Sequence, residues 1–310
     1  MRVAAIDCGT NSIRLLIADI ENGKLTDVVR TMVIVRLGEG VDQTGQFSQA
    51  ALQRTFAAAD TYAELIAQHK PTRVRFVATS ASRDVSNRNE FVSGINARLG
   101  IEPDVISGDE EAALSFLGAT ADLINEVNPP TAPFLVVDIG GGSTEFVLGA
   151  TKPTAAISTN VGCVRMTERH LISDPPTAAQ IAAATLDIDA AIDSAYQAVP
   201  VAQAQSLIGL AGSVTTVAAL ALNLSKYDST QIHGSRITAA AVHQVTQELL
   251  TMTRADRAQL GPMHEGRIDV IGAGALVLDR IMARTGMAEV VVSERDILDG
   301  IARALSDNPS

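Results

Sequence analysis

The sequence predicts an α/β fold of two domains, in which a β-hairpin occurs twice and helices flank each sheet. Three observations support this prediction. The pattern of residues 3–17 (VAAIDCGTNSIRLLI) returns in residues 134–148 (FLVVDIGGGSTEFVL), an offset of 131 positions (134 − 3). Strand-like and helix-like segments alternate along the chain, which is typical of α/β proteins. The 310 residues suffice for two separate hydrophobic cores.

The repeated stretch has the pattern of a buried β-hairpin: an apolar run, an acidic residue, a turn of glycine and hydroxyl residues, and a second apolar run. Glycine lets a ligand approach the backbone closely, and successive N–H groups in such a turn form an anion-binding concavity. Two matching hairpins therefore indicate a duplicated domain that closes two turns on one phosphate-bearing ligand. The offset matches Asp7 with Asp138, Gly9 with Gly140 and Ser12 with Ser143.

The first half of the chain is predicted to alternate strands with amphipathic helices. Its elements are the hairpin at 3–20, a strand at 25–35, a glycine-spaced loop at 38–40, a helix after Ser48, a strand at 74–78, a helix at 88–99, a strand near 103–106 and a helix opening at 107–109. The last helix carries Glu110 and Glu111 in its first turn.

The second half repeats this plan with longer helices. Its elements are the hairpin at 134–148, a helix from about 177 to 198, a strand at 207–210 that turns into a helix after 211–216, helices over most of 239–285, a strand at 290–293 and a final helix at 295–306. Three prolines, Pro129, Pro130 and Pro133, mark the boundary. We therefore expect one domain at 1–124, with residues 295–310 packing back on it, and a second domain at 125–294.

Composition excludes several classes of protein. The net charge of −11 is opposite to that of most nucleic-acid-binding proteins, so no DNA binding is expected. No apolar run approaches the roughly 18 residues that span a bilayer, and the early strand leaves no room for a signal peptide. Two cysteines make no disulfide framework. We expect a cytoplasmic protein without a membrane partner.

Positive charge is concentrated between residues 70 and 98, where six basic residues accompany two acids. A solvated basic face and a phosphate-binding surface both explain such a cluster, and the two phosphate-type turns favour the second explanation. The basic residues are Lys70, Arg73, Arg75, Arg83, Arg88 and Arg98, and the acids are Asp84 and Glu90.

Phosphoryl transfer fits the remaining motifs, because it needs a cradle of N–H and hydroxyl donors and a divalent cation. The candidate phosphate-binding residues are Gly9, Thr10, Asn11, Ser12, Gly140, Gly141, Gly142, Ser143 and Thr144. Asp7, Asp138 and Glu145 would supply hard oxygen ligands for Mg²⁺, with Mn²⁺ as the alternative. Turn stabilisation by hydrogen bonds is the other explanation for Asp7 and Asp138. Glu110 and Glu111 are also explained by the helix macrodipole.

Taken together, these residues resemble the exopolyphosphatase / guanosine pentaphosphate phosphohydrolase (Ppx/GppA) family, and the likeness covers essentially the whole chain. The matching stretches are 7–12 (DCGTNS), 78–81 (ATSA) with Arg83 and Asn87, 107–112 (SGDEEA), 138–145 (DIGGGSTE), 162–165 (GCVR) with Thr167 and Glu168, and 209–213 (GLAGS). The resemblance implies two actin-like (ribonuclease H-like) domains with an active site in the cleft between them.

The resemblance also implies roles for single residues. Glu111 would be the catalytic base, while Asp138 and Glu145 would belong to the metal and catalytic centre. Arg83 and Arg165 are expected as auxiliary phosphate contacts. The expected activity is metal-dependent removal of the terminal phosphate from inorganic polyphosphate. A homodimer is left open.

Three alternatives stay open at this point. The first is a guanosine pentaphosphate (pppGpp) 5′-phosphohydrolase, which performs the same chemistry on another substrate. The second is an ATP-dependent kinase or ATPase of the same superfamily, with residues 209–216 where those proteins hold adenosine. The third is a non-catalytic sensor of polyphosphate or an alarmone, whose signature is tight binding without turnover.

Overall fold

The computed structural model describes residues 1–83, 85–124 and 128–307, which divide into two compact units. Unit 1 comprises Met1–Gly118 and Ile297–Ser310, and unit 2 comprises Ala119–Asp296. The first division falls six residues before the boundary expected at 124/125, and the second falls two residues after that expected at 294/295. The difference at the first boundary arises because a helix, Gly108–Leu123, continues across the division. Three of the sequence predictions concern residues outside the described parts. They are residue 84, counted among the acids, residue 125, expected to open the second domain, and residues 308–310 of the expected C-terminal helix.

Unit 1 contains a five-stranded mixed sheet in the order β3-β2-β1-β4-β5. The strands are β1 (Arg2–Cys8), β2 (Ser12–Glu21), β3 (Lys24–Ile34), β4 (Arg73–Ala78) and β5 (Asp104–Val105). The first three strands form an antiparallel meander, and β4 and β5 run parallel to β1. The predicted hairpin, third strand and later strands are all present, although β5 is only two residues long.

Helices cover both faces of this sheet. They are α1 (Val41–Thr44), α2 (Gln49–His69), α3 (Ser80–Arg83), α4 (Arg88–Leu99), α5 (Gly108–Leu123) and, from the C-terminal end, α13 (Ile297–Asp307). Alternate residues of β1 point to opposite faces, as a period of two requires. Ile6 packs in the cluster with α2 and α4, whereas Ala5 packs in the cluster with α13. Ser48 caps α2 by accepting a hydrogen bond from the N–H of Ala51.

Unit 2 repeats the plan around a six-stranded sheet in the order β10-β11-β9-β6-β7-β8. The strands are β6 (Phe134–Ile139), β7 (Thr144–Gly149), β8 (Pro153–Thr159), β9 (Ser206–Leu210), β10 (Arg236–Thr238) and β11 (Glu289–Val292). Again the first three form an antiparallel meander, while β9 and β11 run in parallel beside β6. The repetition of the meander confirms the predicted α/β class with a duplicated hairpin.

The helices of unit 2 enclose one apolar cluster against this sheet. They are α6 (Cys163–Arg169), α7 (Ala178–Ala198), α8 (Ala211–Ala221), α9 (Ser229–Ile232), α10 (Ala239–Thr251), α11 (Arg254–Arg257) and α12 (Ile271–Thr285), with single 3₁₀ turns at Val201–Gln203 and Glu265–Arg267. The helix α7 starts after Thr177, as the sequence predicts, and Thr177 and Gln180 form a capping box there. Among the described residues no helix combines the length and apolar character that a membrane span requires.

Candidate active site

The turn between β1 and β2 carries the first set of predicted phosphate-binding residues. Its ends are joined by a hydrogen bond from the N–H of Gly9 to the carbonyl of Ser12, at 3.0 Å. The Thr10 hydroxyl lies 3.0 Å from the hydroxyl of Ser80, the first residue of α3. The predicted turn is therefore present, and beside it lies the hydroxyl of Ser80, a residue of the matching stretch 78–81 for which no site role was predicted.

Asp7 is the last residue but one of β1, close to this turn, and is almost fully buried. Its cross-strand partner is Arg14 of β2, whose Nε and Nη2 donate to Oδ2 of Asp7 at 3.0 and 2.6 Å. The ion pair compensates the charge of a carboxylate that is expected to bind a metal. Sequence reasoning missed Arg14, yet a signal was available, because residues that flank a tight hairpin turn face each other across the strands.

Glu111 lies in the first turn of α5, and its side chain is buried. Arg83 Nη1 donates to its Oε2 at 2.6 Å, and Thr79 also hydrogen-bonds the carboxylate. Burial raises the pKa of Glu111, with a smaller contribution from the charge of Asp7, while Arg83 and Thr79 act in the opposite direction. A carboxylate with a raised pKa inside a packed unit is suited to general-base chemistry at neutral pH.

The neighbouring Glu110 has a different environment. It is exposed, and its carboxylate pairs with Arg75 at 2.6 Å. The helix macrodipole favours both acids equally, so only burial and hydrogen bonding distinguish them. These observations separate Glu111, the predicted base, from an adjacent glutamate with an ordinary surface ion pair.

Three of the six basic residues between residues 70 and 98 form ion pairs within unit 1. Arg75 contacts Asp104 and Glu110, Arg83 contacts Glu111, and Arg98 contacts Asp60 and stacks over the Phe56 ring. Arg73 donates to the carbonyl of Leu305. The expected concentration of free positive charge is therefore much weaker than the residue count suggests. Arg83, predicted as a phosphate contact, directs its guanidinium at the predicted base.

The turn between β6 and β7 has the same closing bond, from the N–H of Gly140 to the carbonyl of Ser143, at 3.0 Å. Within the described parts of the chain, the N–H groups of Gly141, Gly142 and Ser143 have no hydrogen-bond partner. Three neighbouring free N–H groups are suited to hold an oxyanion. The Thr144 hydroxyl is buried and donates to the carbonyl of Val161 at 2.7 Å, and the phosphate contact expected of Thr144 stays a prediction.

Asp138 and Glu145 face each other across the β6–β7 hairpin and are both buried. Glu145 in turn faces Ser158 of β8, whose hydroxyl donates to Oε1 of Glu145 at 2.7 Å. The three residues form one row across the meander. Sequence reasoning missed Ser158, because β8 itself was not predicted.

Carboxylate oxygens are the ligands that Mg²⁺ prefers, so Asp138 and Glu145 fit a divalent cation by donor type. Within residues 1–83, 85–124 and 128–307, no group of three or more His, Cys, Asp or Glu side chains is arranged to hold a metal ion. Asp7 belongs to unit 1, and the two other predicted ligands belong to unit 2. Metal binding by Asp7, Asp138 and Glu145 therefore stays a prediction.

Arg165 belongs to the first turn of α6 and lies beside the glycine turn. Its Nε donates to the carbonyl of Gly142 at 2.8 Å. This part of the guanidinium is thus engaged by the backbone of the predicted phosphate turn. The expectation of a direct phosphate contact from Arg165 stays a prediction.

The side chain of Arg267 lies against the segment 209–216, where the kinase alternative would hold adenosine. A Cβ atom at Gly212 would lie 1.1 Å from Nη1 of Arg267, so the guanidinium lies directly against this glycine. The Tyr227 hydroxyl donates to Glu294 Oε1 at 2.6 Å and accepts from the Thr215 hydroxyl at 2.8 Å. Arg267 carried no signal in the sequence, since it lies some 55 positions beyond Gly212 (267 − 212).

Comparison with known proteins extends these observations. The model of the Ppx/GppA phosphatase family matches residues 16–305. Exopolyphosphatase 2 of Mycobacterium tuberculosis is 49% identical, and the alignment covers 98% of each chain. The crystal structure of an exopolyphosphatase-like protein is 46% identical with a TM-score of 0.94, covering 98% of this chain and 97% of the other. The Aquifex aeolicus PPX-GPPA enzyme is 30% identical with a TM-score of 0.81, covering 98% and 99%.

Proposed function

The chain belongs to the Ppx/GppA phosphatase family, and we propose that it is an exopolyphosphatase that releases orthophosphate from the end of inorganic polyphosphate. The likeness to Exopolyphosphatase 2 over 98% of both chains carries the choice of substrate. The two turns, with one closing bond repeated 131 positions apart (140 − 9), support the choice of chemistry.

Glu111 acts as the general base in this proposal. Water attacks the terminal phosphorus, a new P–O bond forms, and the bond from phosphorus to the bridging oxygen breaks. The proton of the water passes to the Glu111 carboxylate, and the remaining polyphosphate leaves one phosphate shorter. The raised pKa of Glu111 supports this role, because a base is most effective when its pKa lies near the working pH.

The turns supply binding and orientation. In unit 2 the free N–H groups of Gly141, Gly142 and Ser143 hold phosphate oxygens. In unit 1 the turn 9–12 has the same role. Asp138 and Glu145 would hold Mg²⁺, or Mn²⁺ in its place, with Asp7 as the third proposed ligand. When bound, the cation offsets the negative charge of the phosphoryl group.

A phosphate-release panel tests this function. The purified protein is given tripolyphosphate, long-chain polyphosphate, pppGpp and ATP, each with Mg²⁺, with Mn²⁺ or with excess EDTA. We expect orthophosphate from polyphosphate in the presence of metal and none in EDTA. Faster release from pppGpp would favour the alarmone phosphohydrolase. Strict dependence on ATP would favour a kinase, and tight binding without turnover would favour a sensor.

A further inference from the structure

The carbonyl oxygens of all three glycines in the β6–β7 turn are bound by one short segment of unit 2, residues 162–165. Four hydrogen bonds of 2.8 to 3.1 Å make this connection. They run from Cys163 N to Gly140 O, from Val164 N and Arg165 N to Gly141 O, and from Arg165 Nε to Gly142 O.

These bonds fix the direction of the next N–H groups as well. A trans peptide unit is planar, and its C=O and N–H point in opposite directions. Holding the carbonyl of Gly140 therefore aims the N–H of Gly141 away from the segment 162–165. The same holds for the carbonyl of Gly141 with the N–H of Gly142, and for that of Gly142 with the N–H of Ser143. The three N–H groups without a partner are thus oriented by their own peptide planes.

Gly162 permits this close approach. A Cβ atom at position 162 would lie 2.5 Å from the carbonyl oxygen of Gly141 and 2.8 Å from that of Gly140. Both are backbone atoms of the turn, so a side chain would displace the peptide planes themselves. The backbone at Gly162 is extended, with φ of −159°, a conformation open to any residue. Glycine is therefore needed at position 162 because there is no room for a side chain, and not because of its backbone torsion angles.

Unit 1 contains the same arrangement, in which a segment of unrelated sequence binds the carbonyl oxygens of the glycine turn. The segment 35–38 follows β3, as 162–165 follows β8, and it binds two carbonyls of the first turn. Gly38 N donates to Thr10 O at 2.9 Å, and Val35 N and Arg36 N donate to Asn11 O at 3.0 and 2.9 Å. A Cβ atom at Gly38 would lie 2.3 Å from Cγ2 of Thr10. Both turns are thus braced by the chain that leaves the third strand of the meander.

We infer that the segments 35–38 and 162–165 are positioning elements, which hold the two turns with their N–H groups directed at phosphate. This inference rests on the proposed function of the turns. Gly162 acts by leaving space for the carbonyls, and Arg165 acts through the carbonyl of Gly142.

The test uses Gly162→Ala with Gly261→Ala as a matched control. A Cβ atom at Gly261 would lie 2.0 Å from the carbonyl of Ser225, so the crowding is comparable but lies away from the turn. Both variants should lower the melting temperature. We expect Gly162→Ala to weaken binding of a methylene-bridged tripolyphosphate analogue at least tenfold and to raise KM for tripolyphosphate. Gly261→Ala should bind within twofold of the wild type. Equal binding by the wild type and Gly162→Ala would overturn the inference, as would an equal loss in both variants.

If Gly162→Ala does not fold, Arg165→Lys tests the positioning role of the segment 162–165. Lysine keeps the charge but lacks the Nε–H that reaches Gly142, so binding of the analogue should weaken about five- to tenfold. Arg169→Lys, on the same helix and paired with Asp187, should leave it unchanged. Unchanged binding by Arg165→Lys would overturn the inference. A wild-type protein that neither binds the analogue nor hydrolyses tripolyphosphate would overturn the proposed function too, which separates the two failures.

Discussion

Arg83 Nη1 donates a hydrogen bond to Glu111 Oε2 at 2.6 Å, within a unit where Glu111 is buried. Burial raises the pKa of this carboxyl, and Arg83 opposes the increase. Arg83 thus increases the fraction of Glu111 that is ionised at a given pH. The predicted phosphate ligand has a direct structural link to the predicted base, which makes its contribution measurable in a pH profile.

Replacing Arg83 should move the pH dependence of turnover. In Arg83→Gln the pKa of Glu111 rises further, because the opposing charge and hydrogen bond are lost. The base must be ionised to work, so the acidic limb of the kcat/KM profile should shift to higher pH. Arg75→Gln is the control, since Arg75 pairs with the exposed Glu110. Coincident acidic limbs in the Arg83→Gln variant and the wild type would contradict this prediction.

Glu111→Gln should lower kcat by about 10²–10⁴, the usual contribution of a general base. The fold should persist, because the neutral amide resembles the protonated form that burial favours. Glu110→Gln changes the exposed neighbour and should retain near-normal turnover. The measurement is orthophosphate release from tripolyphosphate under saturating substrate. Comparable turnover in the two variants would remove Glu111 from the catalytic role.

The same substitution has a consequence for stability. Because its pKa is raised, Glu111 binds its proton more tightly in the native protein than in the unfolded chain. Its contribution to stability is therefore fully present below the ordinary glutamate pKa, and it is lost as the pH rises through the pKa of the folded state. Glu111→Gln should therefore match or exceed the wild type in melting temperature at neutral pH. The difference should vanish under mildly acidic conditions. A Glu111→Gln melting temperature below that of the wild type at neutral pH, but equal to it under mildly acidic conditions, would contradict this prediction.

Both cysteines should resist alkylation in the folded protein. Cys8 and Cys163 are buried, and burial raises the pKa of each thiol, so little thiolate is present and reagents have no access. Intact mass after treatment with iodoacetamide at mildly alkaline pH should be unchanged for the native protein and should show two additions after unfolding. One rapid addition to the native chain would disprove the prediction for that thiol.

Much of the fold follows from the sequence because its signals are local. Alternating apolar residues and glycine turns predict both hairpins, and Ser48 and Thr177 mark helix starts that the structure retains. β8 escaped prediction because PTAAIST is rich in alanine and has little apolar alternation. β10 is only three residues long, too short for any periodicity to appear.

The candidate site was harder to predict, because its important contacts join residues far apart in the chain. The offset of 131 positions places Arg14 where unit 2 has Glu145, so a repeat-based comparison hides the ion pair with Asp7. The contacts of Arg83 with Glu111 and of Arg165 with Gly142 depend on tertiary packing. Sequence motifs predicted functional roles for these residues, but only the structure shows which atoms they contact.

Arg30 and Asp299 offer a test of how α13 is held on unit 1. Arg30 Nη2 donates to Asp299 Oδ1 at 2.5 Å, and the Asp299 side chain is nearly inaccessible to solvent. Arg30→Met removes the guanidinium charge that faces this buried carboxylate, which should cost about 3 kcal/mol of unfolding free energy in urea titrations. Arg2→Met breaks a more exposed pair, with Asp19, and should lower the unfolding free energy much less, because solvent screens exposed charges.

A double variant, Arg30→Met with Asp299→Asn, distinguishes the buried charge from lost packing. It removes the buried negative charge as well as the guanidinium, so most of the lost stability should return. If the double variant is as unstable as Arg30→Met alone, the side chain of Arg30, which belongs to β3, stabilises α13 through packing rather than through its charge.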